Sequence, residues 1–207
     1  RPPGQLAVTE TWNGSSWTEV ADLNTARERL AGTGTTTSAL ADGGVITTNS
    51  ALVESWNGTS WTETTDLNLA RNTLGNAGAD NTSVLALGGN VDGAGGGRKA
   101  ETESWNGTSW TEISNLNDGR AELAGSGIAS NALAAGGDSP GVQVALTEQW
   151  SGSSWSEDTD MSTARFGLTG SGTGTLAVVM GGGDPVKNST EEWLGTGANS
   201  TREFTVS

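Results

Sequence analysis

The chain has 207 residues, enough for one domain or one run of repeats, and it contains no cysteine, histidine or tyrosine. Disulfides, thiolate or imidazole metal sites and histidine-based nucleophilic triads are therefore excluded. A formal charge of −14 repels phosphate backbones and anionic lipid, which excludes nucleic acid as a partner, and no apolar run approaches the roughly 18 residues of a membrane span. The acid excess serves solubility; the alternative use is in acidic loops that hold a hard cation such as Ca²⁺.

Leu, Ile, Val and Phe make up only about 16% of the chain, a level that with high net charge points to disorder. Nine tryptophans on a strict period overrule that reading. The segments TETWNGSSWTEV, VESWNGTSWTET, TESWNGTSWTEI, TEQWSGSSWSED and a decayed TEEWLGTG follow one another at Trp12, Trp56, Trp105, Trp150 and Trp193, spaced by 44, 49, 45 and 43 residues. In the first four copies a second tryptophan follows five residues later, at Trp17, Trp61, Trp110 and Trp155. An arginine comes ten residues after that (Arg27, Arg71, Arg120, Arg165), and a double glycine closes each full copy. Length differences fall between the double glycine and the next Glu-x-Trp, so the chain reads as a fixed frame with one variable loop per repeat.

Taken in chain order, the pattern predicts half a unit at about 6–20 and full units at about 29–65, 73–114, 121–158 and 166–206. Each full unit resolves into four short strands. In the third, 122–128 and 131–137 form a small-residue hairpin, a variable loop leads to 145–150, and a turn at 151–154 enters 155–158. Asn-Gly between alternating residues, as at Asn57-Gly58, is a hairpin signal that sets the paired tryptophans across from each other. Helix is a weak rival, limited to a turn or two at 24–30 and 68–74. The last copy loses its tryptophan turn and is expected to close on a strand at 202–206.

Four strands per repeat with a Trp and Gly signature is the period of β-propeller blades. Residue size agrees: the first two strands of each unit are Gly, Ala, Ser and Thr, suited to close approach near an axis, and the last two carry the bulky indoles for the wider gap at the rim. The expectation is an all-β propeller of four-stranded antiparallel blades, with four complete repeats and an N-terminal half repeat. Residue 1 is expected to lie within a blade whose two inner strands are missing. Completion, by upstream sequence or by strands from another chain, would give five blades.

These residues resemble the kelch family: double glycine at a strand end, Glu-x-aromatic, a turn, a tryptophan, then arginine before the next strand. The aromatic after Glu, usually tyrosine in kelch repeats, is tryptophan here. The Trp-Asn-Gly-x-Ser-Trp version is similar to repeats of phage tail appendages and microbial surface proteins. The resemblance implies a propeller without specifying its function.

Only carboxylate chemistry remains open to this composition. Its candidates, Glu10, Glu54, Glu103, Glu148 and Glu191, recur in every unit, which favours an architectural role shared with the repeated arginines, through charge-assisted bonds to backbone or to each other that tie neighbouring blades. The tryptophans are read the same way, as packing; stacking platforms for sugars are the rival. The variable loops 45–50, 90–100, 138–144 and 183–189 share one face with the Asp-Leu-Asn segments, and that face is where a partner would be chosen. Asp92, Arg98, Lys99, Asp138, Asp184 and Lys187 are the candidate contacts. The expectation is a non-catalytic adhesion or structural module with no cofactor, on a virion or extracellular surface. It would contact other subunits of a larger assembly, or a cell-surface receptor or glycan. A glycan-binding propeller lectin and a filament subunit that shares strands are the alternatives.

Overall fold

In the computed structural model, residues 4–92, 96–183, 185, 189–195 and 199–202 are described. The described chain is all strand, turn and irregular backbone, with no helix, so the segments at 24–30 and 68–74 are irregular connectors. Four antiparallel four-stranded sheets are arranged as a four-bladed propeller. Blade 1 holds β3 (Ala31–Thr35), β4 (Ser38–Asp42), β5 (Val53–Trp56) and β6 (Trp61–Glu63). Blade 2 holds β7 (Gly75–Asp80), β8 (Ser83–Leu87), β9 (Thr102–Trp105) and β10 (Trp110–Glu112). Blade 3 holds β11 (Ala124–Ile128), β12 (Asn131–Ala135), β15 (Thr147–Trp150) and β16 (Trp155–Asp158). Blade 4 holds β17 (Thr169–Gly172), β18 (Ala177–Met180), β19 (Thr190–Trp193) and β20 (Asn199–Arg202). The last strand thus starts at Asn199, ahead of the 202 expected, and the rest of that expectation, 203–206, lies outside the described residues. Ahead of blade 1 stands a two-stranded sheet of β1 (Glu10–Trp12) and β2 (Trp17–Glu19). A further short hairpin, β13 (Asp138–Ser139) with β14 (Val142–Gln143), was not visible in the repeat pattern because it lies inside a variable loop.

Residue size sets the radial order. The inner strands β3, β7, β11 and β17 surround an axial cavity of about 210 Å³ lined by Gly, Ala, Ser, Thr and Asn. Their approach leaves no room for side chains at some positions: a Cβ on Gly125 would stand 2.3 Å from the backbone oxygen of Asn76 in the neighbouring blade. Toward the rim, the paired tryptophans lie directly opposite across each outer hairpin, Trp12 with Trp17, Trp56 with Trp61, Trp105 with Trp110 and Trp150 with Trp155. Their rings are tilted with centroids 5.3–5.5 Å apart, a favourable aromatic geometry. Each Asn-Gly turn between them is closed by the asparagine oxygen, which accepts from two backbone amides, as Asn57 Oδ1 does from Thr59 and Ser60.

The first tryptophan of a pair donates its Nε1 proton to the inner turn of its own blade: Trp56 to Thr36 O, Trp105 to Asn81 O, Trp150 to Ala129 O. The second donates across to the preceding sheet, Trp61 to Thr9 Oγ1 and Trp155 to Thr102 Oγ1. In blade 1 the residue matching Thr9 and Thr102 is Val53, and Trp110 Nε1, which should reach it, is buried without a partner. Val53→Thr is nearly isosteric and supplies the missing acceptor. It is expected to stabilise the fold by about 1 kcal/mol, read as an increase in thermal midpoint; an unchanged or lower midpoint would refute the assignment.

Candidate functional site

The repeated charges are inside the blades. Arg27–Glu54, Arg71–Glu103, Arg120–Glu148 and Arg165–Glu191 form four ion pairs with N···O distances of 3.3, 3.0, 2.7 and 2.9 Å, and every member is buried. Burial lowers the pKa of the Arg27, Arg71 and Arg120 guanidinium groups, and the partner carboxylates oppose that shift. The second carboxylate oxygen takes the connector between sheets: Asn24, Asn68 and Asn117 each donate to it from backbone N–H and from the side-chain amide. In blade 4, Ser162 donates only its backbone N–H to Glu191.

The arginine performs a second task at the loop face. Nη1 of Arg120 donates to Gly136 O and Leu146 O, at the two roots of the variable loop between β12 and β15. Arg71 bridges Gly88 O and Glu101 O in the same way, and Arg165 bridges Gly181 O and Ser189 O. The arginine's own carbonyl faces backward and accepts the N–H of the preceding blade's second glycine, Gly44 to Arg71 O, Gly89 to Arg120 O and Gly137 to Arg165 O. The double glycine is required there: the first of the pair has positive φ, and a Cβ on Gly88 would fall 2.4 Å from Arg120 O. One arginine therefore staples its own loop and ties two blades together.

Two residues beyond each arginine the backbone turns left-handed, at Arg29 (φ 57), Thr73 (φ 51) and Glu122 (φ 55), with Gly167 (φ 64) in the fourth position. Such a conformation is costly for non-glycine residues. Backbone bonds that step from blade to blade maintain it: Thr73 N to Arg29 O, Glu122 N to Thr73 O, Gly167 N to Glu122 O. This arc at the start of the inner strands carries three different side chains and a glycine on one fixed backbone. The sequence reading missed it. Its only signal was a glycine in one copy at a position that otherwise varies freely.

The loops are ordered against one another. Gln5 Nε2 donates to Val45 O and Ile46 O, Asn49 Nδ2 to Asn90 O, and Asn72 Nδ2 to Asn49 Oδ1. Of the six loop residues proposed as partner contacts, two meet each other: Arg98 donates from Nε and Nη2 to Asp138 Oδ2 of the next loop. Lys99 pairs with Glu101, Asp92 accepts at its carbonyl from Asn90, and Asp184 and Lys187 lie outside the described residues. Among the described residues no group of three or more acidic side chains gathers as a metal site. Glu10 is exposed on the two-stranded sheet, as are Trp12 and Trp17, while Trp56, Trp105, Trp150 and Trp193 are buried.

No protein-family model matches the chain, and no curated protein matches it. Among solved structures it is similar to the structure of YjhT, with a TM-score of 0.78, 10% identity, and coverage of 95% of this chain and 75% of that one. Likeness at this identity shows the propeller fold alone.

Proposed function

We propose that this chain is a non-catalytic recognition module: a kelch-like, tryptophan-rich propeller of a virion or cell-surface appendage that contacts a receptor through the face formed by its variable loops. The stapled loop roots carry the reading. The same buried arginine fixes both ends of the loops that begin after Gly88, Gly136 and Gly181, so length and sequence vary above a constant frame. A scaffold that varies one face while holding its base constant is built to choose partners. The repeated glutamates, the carboxylates that recur at one place in every unit, are committed within the four blades to buried ion pairs.

The test replaces the interior of loop 90–99 with the shorter loop 45–49 and leaves Arg71 and Glu101 in place. Labelled protein is then bound to a panel of immobilised bacterial surfaces and polysaccharides. The expected result is a thermal midpoint within about 3 °C of the parent, which is under roughly 1 kcal/mol for a chain of this size, with binding to the recognised surface lost. Retained binding would remove the loop face from the function, and release of sugar from any polysaccharide would overturn the non-catalytic reading.

A further inference from the structure

The fourth blade lacks one ring. In blades 1, 2 and 3 the second tryptophan of each pair, Trp61, Trp110 and Trp155, stands directly opposite the first across the outer hairpin. The same register in blade 4 sets Asn199 opposite Trp193. The backbone of the outer strand is in place and the indole is not. Four pairs and Trp193 take up all nine tryptophans of the chain, so none of them supplies the missing ring.

The core between blades 3 and 4 is divided as a result. Between blades 1 and 2 one apolar cluster joins Leu40, Leu67 and Ala86 to Trp105 and Trp110. Between blades 2 and 3 another joins Leu85, Leu116 and Ala134 to Trp150 and Trp155. The matching residues of blades 3 and 4 fall into two clusters, one with Met161, Leu168 and Val179, the other with Leu133, Ala177 and Trp193. A cavity lies along the break, walled by Leu133 and Trp193 from one cluster and by Ala135, Met161 and Val179 from the other. It reaches the surface beside exposed Thr159 and half-buried Glu192. Its enclosed part is about 20 Å³, room for a water, so a ring enters by displacing the unbranched side chain of Met161. The polar partner of the missing ring is also in place. Thr147 lines the cavity in the position of Thr9 and Thr102, whose hydroxyls accept the Nε1 protons of Trp61 and Trp155.

We infer that this cavity is a binding site for a small neutral indole, a flat bicyclic ring whose N–H is donated to the Thr147 hydroxyl while its face lies against Trp193. The finished blades specify that chemistry. Their second indole tilts against the first with ring centroids 5.3 Å apart, and Trp110 and Trp155 are each left only 6% exposed. An acid group on the ligand is disfavoured, because Glu192 stands at the rim and the chain carries −14. A free molecule is favoured over an extended peptide, because β20 already fills the outer-strand place and pairs with β19 from Asn199 to Arg202. The walls are strands and a connector and include no residue of the variable loops, so the site does not depend on the recognition reading above.

Isothermal titration of the full chain with indole tests the site. The expected result is saturable 1:1 binding with a Kd of about 1 mM or below. Binding is expected to be about fivefold weaker for 1-methylindole, which has no N–H to donate, and weaker again for indole-3-acetate, which brings a carboxylate to Glu192. In a Thr147→Val chain indole and 1-methylindole are expected to bind alike, a change in selectivity that a loss of stability alone would not produce. An Asn199→Trp chain is expected to bind no indole and to melt higher than the parent, since its own ring takes the slot. Three results would overturn the inference: no saturable heat up to about 10 mM indole, an N–H preference that survives Thr147→Val, or undiminished binding by a folded Asn199→Trp chain. Binding that appears only after Phe204→Ala would also overturn it, by giving the slot to a ring of this chain that lies outside the described residues.

Discussion

Arg120→Met is expected to destabilise the propeller by about 3–5 kcal/mol, because it leaves the Glu148 carboxylate buried without its cation. The same change removes the donor that holds Gly136 O and Leu146 O at the loop root, so the loop at 138–144 loosens as the blade weakens. For a chain of this size the loss corresponds to roughly 6–20 °C in thermal midpoint. The double variant Arg120→Met/Glu148→Leu removes the orphaned charge and is expected to recover part of that loss, since a buried pair is worth little against well-packed apolar side chains. Recovery stays incomplete for a stated reason: Asn117 also donates to Glu148, from its backbone N–H and its side-chain amide, and loses that acceptor. Thermal melts of the two variants decide the matter. If the single change costs less than about 1 kcal/mol, the pair does not hold the blade together.

Much of this arrangement was legible in the sequence because it repeats. Paired tryptophans five residues apart fixed the register of the outer hairpins, and the recurrence of glutamate and arginine pointed to an internal role. The two functions of the arginine were not legible, since one is made by its guanidinium in its own blade and the other by its carbonyl against the previous one. The left-handed arc at Arg29, Thr73, Glu122 and Gly167 was equally hidden, because bonds between blades support it and local sequence does not. The pairing of Arg98 with Asp138 escaped notice for the same reason: the two loops are distant in sequence and adjacent only once the blades are assembled.

Asp42 was in plain view and passed over. In the other three blades the matching position before the double glycine is Leu87, Ala135 or Met180, so an acid stands alone in an apolar column. It is fully buried, and desolvation pushes its carboxyl from 3.8 up to about 6, against the opposing pull of an Asn76 hydrogen bond and of Arg71 and Arg27. Asn76 Nδ2 donates to Asp42 Oδ1, which leaves Asp42 Oδ2 and Asn76 Oδ1 both buried and unpartnered. A proton on Oδ2 would donate to Asn76 Oδ1 and close a cyclic acid–amide pair.

The folded state thus holds this proton more tightly than the unfolded chain does, so the contribution of Asp42 to stability is greatest below about pH 4 and is lost as pH rises through about 6. Full loss corresponds to about 3 kcal/mol. Asp42→Asn supplies the donor at every pH and is expected to be more stable than the parent by up to about that amount at pH 7.5, with the difference vanishing near pH 4. Chemical denaturation of both proteins at the two pH values measures it. A difference that is the same at pH 4 and pH 7.5 would show that the buried carboxyl does not titrate in this window, and a less stable variant at pH 7.5 would show that Asp42 works as a carboxylate between Arg27 and Arg71 rather than as a neutral acid.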